Sequence, residues 1–118
     1  MVASDTALIE ECAEMGDFLA SYEAGCQLII EAEWSQASEA ELEDARRRLH
    51  DAGQQWRASL NRVASSPAHA IPGLAAKGFA LHALLAVWAT EDAEIAVLAR
   101  SVTADLIRLL PNHASTSR

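Results

Sequence analysis

Residues 5–34 read DTALIEECAEMGDFLASYEAGCQLIIEAEW, and this stretch decides the fold class. Leu8, Cys12, Met15, Leu19, Tyr22, Cys26 and Ile29 follow one another in alternating steps of four and three. That spacing puts all seven on one face of an α-helix; a strand would need alternation every second residue. Phe18 and Ile30 widen the stripe to the face of a globular bundle helix. Ser4 or Asp5 is placed to cap the helix start, because their side-chain oxygens accept from free first-turn N–H groups.

Moving outward, Ser35–Ser38 breaks the pattern, and Ser38 with Glu41 reads as a capping box. A second helix is predicted over 39–64, with Leu42, Ala45, Leu49, Ala52, Trp56, Leu60 and Val63 on its seam. Gly53 lies inside it and allows a local bend. Pro67 and Pro72 bracket a loop, and Pro72 suits the first turn of a third helix, predicted over 73–89. Between Ile71 and Ala89 the ionisable side chains are Lys77 and His82 alone, so this helix is expected to be buried on most sides. Thr90 with Glu91 and Asp92 gives a cap and an acidic first turn for a fourth helix, which runs to about Leu110. Its predicted inner face is Ile95, Leu98, Val102, Leu106 and Leu109.

The expected fold is therefore all-α: a four-helix bundle-like domain with a long N-terminal helical hairpin and two shorter C-terminal helices. Its 118 residues, 51% of them hydrophobic, fit one domain over 1–118, with a polar, frayed tail over 112–118. The first helix carries eight acidic residues, and no Lys or Arg precedes Arg46. The second carries Arg46, Arg47, Arg48, Arg57 and Arg62, so the two are expected to lie antiparallel with ion pairs between them. Three consecutive arginines fan around a helix and cannot all meet one phosphate. With a net charge of −8, the chain is expected to bind neither nucleic acid nor membrane. No basic, apolar-cored leader opens it, which points to the cytoplasm and to reduced cysteines. Cys12 and Cys26 stand about 21 Å apart along one helix and can neither bridge nor share a metal.

The four histidines lack the Glu-x-x-His spacing of a di-metal bundle, so no metal or cofactor is expected. Phosphate loops, paired-cysteine motifs and nucleophile elbows are also missing from the sequence, and an enzyme is not expected. If the bundle has a ligand pocket, its candidate lining is His82, Lys77 and Trp88. The other reading is a non-catalytic interaction or regulatory module that self-associates. A first helix too long and a third too apolar for a lone globule point to a homodimer through those two helices.

The stretch IPGLAAKGFAL at 71–81, followed by LARSVTADL at 98–106, resembles a group of short all-helical bacterial proteins, as does IEECAE at 9–14. That group has no established activity. The resemblance implies a helical fold and carries over no functional residue.

Overall fold

The structure is a computed structural model that describes residues 4–87 and 91–110. These form four helices: α1 over Thr6–Trp34, α2 over Glu39–Ser65, α3 over Ile71–Ala86 and α4 over Asp92–Leu109. The fold is all-α, as the periodicity requires. The helices pack in a ring, α1 against α2 and α3, with α4 closing it against α3 and α2. Met15, Leu19, Trp56, Val63, Leu84 and Leu98 are fully enclosed at its centre. The expected tail over 112–118 lies outside the described residues.

The α1 seam lies inward as its spacing requires: Leu8, Cys12, Met15, Leu19 and Cys26 are buried. On α2 the seam divides. Trp56, Leu60 and Val63 are buried, whereas Leu42, Ala45, Leu49 and Ala52 are only half-buried. The cause is length. The α1–α2 hairpin runs well beyond the ring, and past Tyr22 the only buried residue of α1 is Cys26. The molecule measures 68 × 29 × 16 Å with a radius of gyration of 18.0 Å. A compact chain of this length would have about 13–14 Å.

At the hairpin turn, the amide of Ala37 donates to Ala32 O at 3.0 Å and that of Gln36 to Glu33 O at 3.4 Å. These are the two bonds of a Schellman motif, and Gln36 has the φ of +58° that the motif usually gives to glycine. Ser38 then caps α2, accepting from the Glu41 amide at 3.2 Å. Gly53 makes room for its neighbours. A Cβ there would lie 3.2 Å from the Tyr22 ring and 2.8 Å from the Arg57 guanidinium.

At the start of α4, Glu91 and Glu94 form a reciprocal capping box, and Thr90 lies outside the described residues. Asp5 stands at the start of α1, but its side chain makes no cap bond there. Its two oxygens instead accept from the amides of His69 and Ala70, both at 2.8 Å, at the start of α3. Ser4 takes the local role, accepting from the Thr6 amide at 3.1 Å. One carboxylate thus ties the first turn of the chain to the third helix. Gly73 is the matching surface, since any Cβ there would collide with that carboxylate.

Candidate functional site

On α3 the buried residues are Gly73, Lys77, Ala80 and Leu84, again in steps of four and three. The helix therefore buries its one cation. Leu84 is buried and Leu74 and Leu81 lie partly against the core, but three of its large apolar side chains point the other way: Ile71 is 63% exposed, Phe79 75% and Leu85 58%. The expectation that α3 is buried on most sides is corrected. An apolar helix can present any face to a core, and here a polar contact chooses the face.

That contact lies between α3 and α4. Lys77 Nζ donates to Asp105 Oδ2 at 2.5 Å and to Ser101 Oγ at 2.7 Å. Ser101 Oγ donates onward to the carbonyl oxygen of Ala64 on α2, also at 2.7 Å. Arg108 donates to the other oxygen of Asp105 at 2.6 Å. The Lys77 side chain has no exposed surface, and that of Asp105 has almost none. Burial pushes the Asp105 carboxyl upward. The hydrogen bonds from Lys77, the Ala68 backbone and Arg108 outweigh it and hold the group below the usual carboxylate range. Every oxygen of the carboxylate has a cationic partner, the condition under which a buried pair is tolerated.

Asp105 takes the inward position that the sequence pattern assigns to Leu106, which is exposed instead. The one lysine in an apolar stretch and the one acid in the second half of α4 are a visible signal in the sequence. Both also fall on inward seams, Asp105 in line with Leu98 and Val102.

Of the predicted ligand-pocket residues, the two that are described, Lys77 and His82, do not share a face. Lys77 faces the core and His82 faces solvent. Trp88 lies outside the described residues. What α3 offers to solvent is an apolar surface. Between it and α1 runs a groove of about 320 Å³, lined by Ile9, Cys12, Ala13, Gly16, Ala76, Phe79, Ala80 and Ala83. Burial pushes the Cys12 thiol up to about 11, so it stays protonated at neutral pH.

Elsewhere the polar contacts join helices. Glu11 on α1 accepts from Ser59 at 2.6 Å and from Arg62 at 2.9 Å on α2. The Arg62 and Ser59 bonds hold the Glu11 carboxyl below its ordinary range, against the effect of burial. Arg57 lies 4.9 Å from the Trp56 ring centroid and 5.6 Å from that of Tyr22, and donates to Glu94 on α4 at 2.7 Å. The antiparallel pairing expected between α1 and α2 is thus made at Arg62. Arg46, Arg47 and Arg48 pair within α2, with Glu39 and Asp44.

No described helix is long and apolar enough to cross a membrane. Compared with protein families, curated proteins and solved structures, the chain matches none.

Proposed function

We propose that this chain is a non-catalytic protein-interaction module that self-associates through the face formed by α3 and the adjoining part of α1. The supporting observation is the inversion of α3, which sequesters its lysine and leaves Ile71, Phe79 and Leu85 in water. Scattered apolar side chains need no explanation, but a contiguous apolar face on a small protein marks a contact surface. The ligand-pocket alternative draws less support, because Lys77 is buried and His82 is exposed. Sedimentation velocity on the purified protein at micromolar concentrations tests the reading. A dimer is expected, with Phe79→Ser returning it to monomer at unchanged helical circular dichroism. A wild-type monomer throughout that range overturns it.

A further inference from the structure

The outward face of α3 has its own register. Ile71, Ala75, Gly78, His82 and Leu85 follow in steps of four, three, four and three, the spacing of a helix–helix seam. This seam is separate from the buried one, and among the described residues all of it but the half-buried Gly78 is exposed. Gly78 is its midpoint. A Cβ built on Gly78 meets nothing within 4 Å, so packing inside the chain does not require glycine there. Glycine within a helix costs about 1 kcal/mol relative to alanine. Its usual return is the close approach of another backbone.

The pattern is also symmetric. Ile71 and Leu85 stand seven residues to either side of Gly78. If two copies of α3 cross antiparallel about Gly78, each Ile71 meets the second copy's Leu85, and the two glycines meet each other. A two-fold axis there keeps both α1 helices on the same side of the pair. We infer that α3 pairs antiparallel with α3 of a second copy, with Gly78 at the two-fold axis. This rests on the self-association proposed above and gives it a register.

Two further observations favour a second copy as the occupant. Each copy carries a net charge of −8, so copies can approach closely only where charge is absent. With Lys77 turned inward, His82 is the one ionisable group on this face of α3. Ile71, Phe79 and Leu85, at 63%, 75% and 58% exposed, are the apolar area that such a pairing would take out of water.

Cysteine cross-linking tests the register. In the full chain under mild oxidation, Gly78→Cys is expected to form a disulfide-linked dimer readily. Leu85→Cys is not, because antiparallel pairing sets the two Leu85 positions about 21 Å apart. The double variant Ile71→Cys with Leu85→Cys is expected to link, with each introduced thiol facing its opposite. The native thiols are buried and contribute little background. Gly78→Ala is a separate check: the monomer should be as stable or more so, while dimerisation weakens about tenfold through lost close contact. A dimer that links through Leu85→Cys as readily as through Gly78→Cys, or through neither Gly78→Cys nor the double variant, overturns this register and leaves self-association standing. A wild-type monomer overturns both.

Discussion

Lys77 and Asp105 are hidden from water and bonded to each other, yet their value lies in placement rather than in stability. Replacing both partners of a buried pair by apolar groups is often neutral, whereas removing one leaves an uncompensated charge. Lys77→Ala should therefore destabilise the protein by about 3–5 kcal/mol in urea unfolding. The double variant Lys77→Met with Asp105→Leu should recover most of that loss. It should also broaden the NMR spectrum of α3, because an all-apolar α3 has no contact that fixes its rotation. The pair also sets a pH dependence. Asp105 titrates below its ordinary range when folded, so its contribution is complete above the unfolded-state value and is lost as pH falls through the folded one. Wild-type stability should decline on acidification below about pH 4, and this decline should be smaller in the double variant.

At the scale of elements, the tie from Asp5 to the residues just before α3 shows how far periodicity reads and where it stops. The inward faces of α1 and α2 follow from spacing alone, because a mixed sequence leaves one choice of face. The rotation of α3 does not, because its composition is nearly uniform around the helix and its deciding partner lies 28 residues away on α4. Asp5 misleads for a related reason: a carboxylate beside a helix start suits the local cap, but here two amides from residues 69 and 70 claim it. Gly73 is the companion feature, since glycine at the first turn of a helix gives no hint of what approaches it. Asp5→Ala should cost about 1–3 kcal/mol, because the buried carboxylate's hydrogen bonds from two backbone amides are lost. Gly73→Ala should cost at least as much in the wild type, yet clearly less in the Asp5→Ala background, where the carboxylate is gone and only the Cβ of residue 5, 2.8 Å from the added methyl, has to give way. Chemical denaturation of the four proteins closes this cycle, and simple additivity would rule out the contact as its cause.

The whole molecule is uneven along its length. Around the ring, four helices share a sealed core; toward the hairpin turn, two helices have only each other. Leu28 and Trp34, at 60% and 85% exposed, lie on this distal arm. Two helices alone bury too little apolar surface to hold their ends firmly. Amide hydrogen exchange should therefore be fastest in residues 27–50 and slowest around Met15, Trp56 and Leu84, following the burial gradient. Uniform protection along α1 would show instead that another surface covers the arm.

Lys77 is the only lysine in the sequence, and the fold encloses its amine completely. Acylating reagents, reactive aldehydes and ubiquitin ligases all need that amine in water. The folded chain gives them no lysine side chain to attack. Modification of Lys77 would then record that α3 had come away from α4, so one chemical mark on one residue distinguishes an opened molecule from a closed one.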